Sequence, residues 1–124
     1  MIVGIGTDIC DIRRIADILD RHGERFKAKC FTDAERATCD ARSASDTCYA
    51  KRFAAKEAVA KALAGEDTGA LPWHSVEIVN DPSGRPRAVL SGDAATRAPE
   101  NATIHLSLSD DPPYAVAFCV VEAP

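Results

Sequence analysis

The residues best placed by type and spacing to do chemistry are two carboxylates and a lysine. Glu57 and Lys61 stand four apart in a segment without Pro or Gly, so they share one face of a helix. Alone, such a pair stabilises its helix by only about 0.2–0.5 kcal/mol. Asp8 is more unusual, because it follows Gly4 and Gly6 in an alternating run, where glycines permit close approach to the backbone. Glu57 is also flanked by small residues, which are Ala54, Ala55, Ala58, Ala60 and Ala62.

These side chains are of the kind that Mg²⁺ uses to act on phosphates. If the strand with Asp8 packs beside the helix with Glu57, the two carboxylates can meet. Mg²⁺ needs octahedral oxygen ligands at about 2.1 Å and keeps coordination sites for water and substrate phosphate. A lysine at position 61 would neutralise charge that grows on a phosphate during transfer. Zinc would need clustered His or Cys, and the three histidines are far apart in sequence.

The helices that must position these residues can be read from capping residues and apolar spacing. Asp11 can cap a first helix, which the pattern ends at Gly23. Thr32 and Glu35 form a capping box that opens a second, short helix. Residues 44–64 make the longest helix, which is rich in alanine.

The strands follow from alternation and turn residues. Residues 2–9 alternate as a strand, and a hairpin joins 76–79 to 86–90 around a turn that contains Pro82 and Gly84. Residues 91–101 form a loop with a short helix, and 114–121 form the last strand. In the strand before it, one face points to the core (Ile104, Leu106, Leu108) and the other points away (His105, Ser107, Ser109). The pattern therefore predicts an α+β fold, with an antiparallel sheet packed against one long and several short helices.

Length and composition describe one soluble domain, residues 1–124. The chain is 46% hydrophobic and 27% charged, and no apolar run approaches the roughly 18–20 residues of a membrane span. A net charge of −4 argues against general nucleic-acid binding. The N-terminus lacks the basic start of a signal peptide. Five scattered cysteines without a C-x-x-C pair favour reduced thiols, so we expect a cytoplasmic protein that binds neither nucleic acid nor membrane.

The charge is unevenly distributed along the chain. Residues 12–30 contain six basic and three acidic side chains, although the whole protein is acidic. Arg14 and Arg21 are seven residues apart and hence share an exposed helix face. This patch is either an ordinary solvated face or a docking surface for one acidic macromolecule.

Four segments, taken together, resemble the bacterial holo-acyl-carrier-protein synthases of the 4′-phosphopantetheinyl transferase superfamily. They occur in order, at matching spacings, between residue 2 and about residue 119. The segments are GIGTDI at 4–9, FTxxE at 31–35, RFAAKEA with a following lysine at 52–61, and IHLSLS at 104–109.

The resemblance implies a reaction and a set of residues. An apo-acyl carrier protein serine would attack the β-phosphate of coenzyme A, releasing adenosine 3′,5′-bisphosphate, in fatty acid biosynthesis. Asp8 and Glu57 would hold Mg²⁺, Lys61 would meet the pyrophosphate, and Glu57, directly or through a metal-bound water, would accept the serine proton. Coenzyme A would also be bound by Arg52, Lys56, His105 and Ser107.

The resemblance also implies partners. The carrier protein is small and acidic, so the basic first helix would dock it through Arg14, Arg21 and Arg25, with Phe26 as an apolar contact. The family forms homotrimers with sites at the subunit clefts. This chain departs from many relatives at residues 64–69, where a Gly-Thr-Gly run that would border the nucleotide is replaced by a more acidic loop.

Two other function classes are compatible with parts of the pattern. A non-catalytic carrier-protein or nucleotide-binding module would keep the basic helix but would need neither Asp8 nor Glu57. A metal-dependent phosphate hydrolase would need more metal ligands than these two. The retention of both carboxylates together with Lys61 favours the transferase.

Overall fold

The computed structural model describes residues 1–66 and 68–124. Its helices are α1 (Ile12–Cys30), α2 (Asp33–Asp40), α3 (Ser45–Ala62) and α4 (Gly92–Arg97), with a short 3₁₀ turn at Trp73–Ser75. Its strands are β1 (Ile2–Asp11), β2 (Val76–Asn80), β3 (Pro86–Leu90), β4 (Thr103–Asp111) and β5 (Tyr114–Glu122). No helix in these two ranges is long and apolar enough to cross a bilayer.

The sheet is antiparallel, which confirms the predicted α+β class. β5 lies between β1 and β4, and β2 pairs with β3 in a separate hairpin. In the central register Ala117 stands opposite both Asp8 on β1 and Leu108 on β4. Every second residue of β5 from Ala115 to Val121 is buried, so one face of this sheet forms a side of the core.

Helix α3 lies directly against the inner face of β1. A Cβ atom at Gly4 would lie 1.9 Å from the carbonyl oxygen of Ala62, and one at Gly6 would lie 1.9 Å from that of Ala58. Only glycine fits at either position, because the obstacle is helix backbone and not a movable side chain. The room predicted beside Asp8 is therefore filled by α3, and the predicted packing of first strand on longest helix is confirmed.

The first helix is longer than predicted. Gly23 does not end it, because the helix kinks at His22, whose φ and ψ are −131° and 20°, and continues to Cys30. Phe31 then ends the helix, and its N–H donates to the carbonyl of Lys27. The extension is held by packing, since Phe26 contacts the rings of Phe31 and Phe53, at centroid distances of 5.5 and 6.0 Å. Tertiary contacts thus override a single glycine.

Two cysteines are bonded, contrary to the expectation of reduced thiols. Cys39 near the end of α2 and Cys48 in the first turn of α3 form a disulfide with a Cα–Cα distance of 5.4 Å. That separation is typical of disulfides. The remaining three, Cys10, Cys30 and Cys119, are free and buried. The tight connection between α2 and α3 brings the pair together across nine positions, a spacing that matches no sequence motif.

Candidate active site

The structure brings Asp8, Glu57 and Lys61 together at the contact between β1 and α3. Asp8 projects from the inner face of β1, just beyond the two glycines that admit the helix. The ammonium of Lys61 donates to Asp8 Oδ1 at 3.3 Å and to the carbonyl of Thr7 at 2.9 Å. The side chain of Asp8 is 19% exposed and that of Lys61 is 55% exposed, so the cluster opens to solvent.

Electrostatics places Glu57 in the same cluster. Glu57 precedes Lys61 by about one helical turn. Burial raises the pKa of Glu57, the neighbouring carboxylate of Asp8 raises it further, and Lys61 opposes both. A carboxylate whose ionisation is disfavoured by burial and by a second carboxylate marks a position where a cation would be stabilised.

The donor set fits Mg²⁺. Among the described residues, no group of three or more His, Cys, Asp or Glu side chains is placed to hold a metal ion. A metal bound here would therefore not be coordinated by protein side chains alone. Mg²⁺ is commonly bound by one or two carboxylates that are completed by substrate phosphate and water. Asp8 and Glu57 supply two carboxylates, and the pKa of Glu57 is raised by burial and, to a smaller extent, by the charge of Asp8.

A cavity of about 230 Å³ lies beside Glu57. Its wall is mainly apolar and includes Ala60 of α3 together with Leu71, Pro72 and Trp73. The indole of Trp73 stacks on Phe53 with ring centroids 4.9 Å apart, which fixes one side of the cavity. Glu57 thus borders both the open carboxylate cluster and a partly enclosed apolar space.

Lys56 belongs to the core, although it also lines the cavity beside Glu57. Its ammonium is 2.8 Å from Glu35 Oε1 and donates to the carbonyls of Trp73, at 2.8 Å, and Val76, at 2.5 Å. Burial lowers the pKa of Lys56, and the Glu35 carboxylate opposes that shift. Three acceptors use the three N–H donors, so the phosphate role that we expected for Lys56 does not fit its contacts.

Glu35 does more than the capping box required. Its Oε1 also accepts from the N–H of Thr32, as predicted for the box, and its Oε2 accepts from the N–H of Ile78 at 2.8 Å. Glu35 therefore joins α2, α3 and β2 through one buried carboxylate. The sequence did not predict the contacts of Glu35 with Lys56 and Ile78, because a local capping motif does not show contacts with distant segments.

Arg52 lines a separate cationic pocket. It is buried, and its Nη2 donates to Asn80 Oδ1 at 2.8 Å while its Nε is buried without a partner among the described residues. The pocket of about 150 Å³ is also lined by Arg42 and Lys51, which the sequence did not single out. The phosphate role of Arg52 stays a prediction, and this surrounding charge is compatible with it.

His105 and Ser107 lie on the opposite side of the sheet from Asp8. Ser107 pairs with Phe118, which is exposed, whereas Asp8 pairs with Ala117, which is buried. His105 Nε2 is 3.1 Å from Glu122 Oε1. One chain therefore does not bring the predicted nucleotide-binding residues of β4 to the carboxylate cluster.

The same outer face is unusually apolar. Residues that alternate outward on β1 and β5 are 36–65% exposed, and they are Val3, Ile5, Ile9, Tyr114, Val116 and Phe118. Contiguous apolar surface of this kind marks an interaction site. The alternation that revealed the buried face of β4 was available for this surface too, but a sequence alone does not show which face of a sheet is covered.

The predicted docking residues lie along α1. Arg14, Arg21 and Arg25 are exposed, and Arg21 pairs with Asp17 at 3.2 Å. Phe26 is half-buried, with part of its ring committed to the aromatic cluster described above. The altered loop at 64–69 includes Asp67, which lies outside the described residues.

Comparisons with known proteins show which family the chain resembles. A family model described as the 4′-phosphopantetheinyl transferase superfamily matches residues 4–119. A holo-[acyl-carrier-protein] synthase of Methylobacterium radiotolerans is 54% identical, over 99% of this chain and 95% of the relative.

Solved structures give the same result. The crystal structure of the holo-[acyl-carrier-protein] synthase from Neisseria meningitidis matches with a TM-score of 0.84 and 32% identity, covering 99% of this chain and 100% of that chain. A Bacillus anthracis holo-(acyl-carrier-protein) synthase in complex with CoA (3′,5′-ADP) matches with a TM-score of 0.77 and 34% identity, covering 100% and 99%. The chain therefore belongs to the holo-[acyl-carrier-protein] synthase family of the 4′-phosphopantetheinyl transferase superfamily.

Proposed function

We propose that this chain transfers the 4′-phosphopantetheine group of coenzyme A to a serine of an apo-acyl carrier protein and releases adenosine 3′,5′-bisphosphate. The observation that carries the proposal is the meeting of Asp8, Glu57 and Lys61 in a member of this family. We place the reaction in fatty acid biosynthesis in the cytoplasm. A module that only bound carrier protein or nucleotide would have no use for two adjacent carboxylates beside a lysine.

Asp8 and Glu57 are the residues that would hold Mg²⁺. When bound, the ion would neutralise phosphate charge and orient the diphosphate of coenzyme A. The protein's part is to fix two carboxylates rigidly, one on β1 and one on α3, through a contact that only glycines allow.

Proton transfer falls to Glu57. In the reaction the serine oxygen forms a bond to the β-phosphorus, the bond from that phosphorus to the bridging oxygen breaks, and the serine proton must be accepted. A carboxylate whose pKa is raised by burial and by Asp8 accepts a proton more readily than an ordinary glutamate.

Lys61 and the cationic pocket would hold the anionic parts of coenzyme A. Two contacts with acceptors of β1 leave the ammonium of Lys61 one further N–H donor, suited to the oxygen that gains charge as the bond breaks. Arg52 precedes Glu57 by five residues, or about 7.5 Å along α3. The same five residues turn Arg52 about 140° around the helix from Glu57, so a ligand that reached both would extend around α3.

A mass measurement tests the reaction. The protein is incubated with coenzyme A, Mg²⁺ and an apo-acyl carrier protein, and the intact mass of the carrier is recorded. We expect a gain of one phosphopantetheine group, which disappears when EDTA is added. Undiminished transfer in EDTA would contradict the metal-dependent mechanism, and no gain under any condition would contradict the function.

The exposed face of α1 is our proposed docking surface for the carrier protein. Arg14→Glu places a negative charge on the helix surface that also carries Arg21 and Arg25. We expect it to raise the KM for the carrier about tenfold while the KM for coenzyme A stays near normal. Arg87→Glu on β3 makes the same charge change elsewhere and is the matched control. An unchanged carrier KM in Arg14→Glu would remove this assignment.

The apolar outer face leads us to propose a homotrimer with shared sites. Burying Ile5, Ile9 and Phe118 between copies would remove surface that a monomer leaves in water. Because His105 and Ser107 share that face, a neighbouring copy could present them to the carboxylate cluster of its partner. The single chain would then hold only part of each site.

Subunit mixing tests the shared site. Asp8→Ala and His105→Ala are each expected to lose most activity, and a mixture allowed to exchange subunits should recover part of it. Recovery is expected because some interfaces then combine an intact Asp8 with an intact His105. Sedimentation velocity gives the subunit number, and a monomer or an unrestored mixture would overturn the proposal.

A further inference from the structure

The disulfide lies at the edge of the cationic pocket. Cys48 lines that pocket and also an adjoining, more open cavity of about 360 Å³. Arg52 Nη1 is 3.3 Å from Cys48 Sγ. The bond therefore stands between the core and the place where three basic side chains meet.

The connection that the disulfide closes carries Arg42. Arg42 lines both cavities, is exposed, and has no ion-pair partner among the described residues. Residues 41–44 are all exposed, and the N–H of Arg42 donates to the carbonyl of Cys39 at 3.1 Å, which ties Arg42 to the end of α2 that the disulfide fixes. Cys39 bounds it on one side and Cys48 on the other, and the disulfide joins these two ends.

Arg42 is held where like charge opposes it. Burial lowers the pKa of Arg52, and the nearby guanidinium of Arg42 lowers it further. Lys51 of the same pocket is paired with Asp110 at 2.9 Å. Two neighbouring guanidinium groups repel each other, and a bound anion would relieve that repulsion. The disulfide fixes both ends of the segment that carries Arg42, and this limits how far the guanidinium can move from the pocket.

We propose that the Cys39–Cys48 bond is a redox switch for the affinity of this pocket for the phosphate groups of coenzyme A, acting through the position of Arg42. The inference rests on the proposed function for the identity of the ligand. In the oxidised protein Arg42 stays beside Arg52 and the pocket is ready for an anion. In the reduced protein the 41–44 segment is released, and binding must first recover the lost order.

Thiol–disulfide exchange supplies the chemistry. During oxidation by glutathione disulfide, the Cys48 thiolate attacks one glutathione sulfur and expels one glutathione thiolate. The Cys39 thiolate then attacks Cys48 Sγ and expels the second, so the two protein thiols lose two electrons and two protons overall. Cys48 is the reactive sulfur, because it lines the cavities and lies beside a guanidinium that stabilises thiolate.

The first experiment measures the KM for coenzyme A of the wild-type protein in both redox states. Equilibration with glutathione disulfide or with dithiothreitol sets the state, and intact mass after alkylation counts the free thiols. We expect the KM for coenzyme A to be about tenfold higher after reduction, with kcat and the KM for the carrier unchanged. A tenfold change in affinity corresponds to the loss of about one charge-assisted hydrogen bond. Equal KM values, or a pair that never oxidises, would overturn the switch.

Variants assign the effect. Cys39→Ser/Cys48→Ser should have the reduced KM under both conditions, and Arg42→Gln should have a raised KM that no longer responds to oxidation. Lys29→Gln removes an equal charge from the exposed end of α1 and should respond as the wild type does. A response that persists in Arg42→Gln would refute the role of Arg42.

A binding measurement separates this proposal from the function itself. Titration calorimetry with adenosine 3′,5′-bisphosphate reports on the pocket without any transfer. If the carrier is never modified but the nucleotide binds more tightly to the oxidised protein, the proposed function fails and the switch stands. If transfer occurs and the affinity for the nucleotide is the same in both redox states, the proposed function stands and the switch fails.

Discussion

Two lysines five residues apart on helix α3 have opposite environments. Lys56 is 2% exposed and uses its three donors on Glu35 and two backbone carbonyls. Lys61 is 55% exposed and reaches across to β1, where it contacts Asp8 and a carbonyl. The two residue types are identical, so burial and neighbours alone give one lysine a structural place and the other a site.

The difference shows how the protein separates stability from chemistry on one helix. The Glu35–Lys56 pair joins α2, α3 and the Trp73–Val76 segment, and that segment forms a wall of the cavity beside Glu57. The Asp8–Glu57–Lys61 cluster is left partly open to solvent. A buried ion pair on one side of α3 thus helps to hold a partly exposed cluster on the other.

The largest effect is expected at Asp8. Asp8→Asn keeps the shape of the side chain but removes the charge that would help to hold Mg²⁺, so we expect transfer to fall by about 10³-fold. The free energy of unfolding in denaturant should change little, because the side chain is partly exposed. Activity within tenfold of the wild type would contradict its role as a metal ligand.

At the structural lysine we expect a loss of stability instead. Lys56→Met leaves the Glu35 carboxylate buried without its cation, which should lower the free energy of unfolding by about 3 kcal/mol. Transfer, measured at a temperature where the variant is folded, should fall less than tenfold. Addition of Glu35→Gln should recover part of the stability, and full activity loss in a folded Lys56→Met would return Lys56 to the phosphate site.

Lys61→Met makes the same substitution at the exposed lysine. We expect transfer to fall by about 10²-fold, since one donor to the departing phosphate is lost. The free energy of unfolding should change by less than about 0.5 kcal/mol, as it does for substitutions at other surface positions. Lys56→Met is therefore expected to lose mainly stability, and Lys61→Met mainly activity. If both variants lost stability and activity to the same extent, the two lysines would not differ in role.

Much of this arrangement could be predicted from the sequence, because it depends on local patterns. Alternation gave the strands, the Thr32–Glu35 box gave the start of α2, and two glycines before Asp8 indicated a close approach. Four-residue spacing placed Glu57 and Lys61 on one helix face. These features depend on the order of neighbouring residues, which a sequence contains.

What could not be predicted depends on contacts between distant segments. Helical spacing sets Lys61 beside Glu57, but it does not show that Lys56 is buried, because that depends on the position of Glu35 on another helix. The continuation of α1 past Gly23 depends on aromatic packing, and the Cys39–Cys48 bond depends on the turn between two helices. The opposite orientation of Asp8 and His105 required the register of three strands.

The smallest effect tests whether the open cluster costs stability. The pKa of Glu57 is raised in the folded protein, so the folded state binds its proton more tightly than the unfolded state does. Glu57 therefore favours folding when it is protonated at low pH, and this contribution is lost as pH rises from the unfolded value of 4.5 through the folded pKa.

At pH 7.5 and without metal, Glu57→Gln should consequently raise Tm slightly while it abolishes transfer, as expected where a site is built at the expense of stability. The gain should vanish below about pH 4, where both proteins carry a neutral side chain. Mg²⁺ should raise the Tm of the wild type more than that of Glu57→Gln, because binding to the folded state alone stabilises it. A variant less stable than the wild type at pH 7.5 would mean that Glu57, like Lys56, is held by contacts of the fold, and the contrast between the two sides of α3 would not hold.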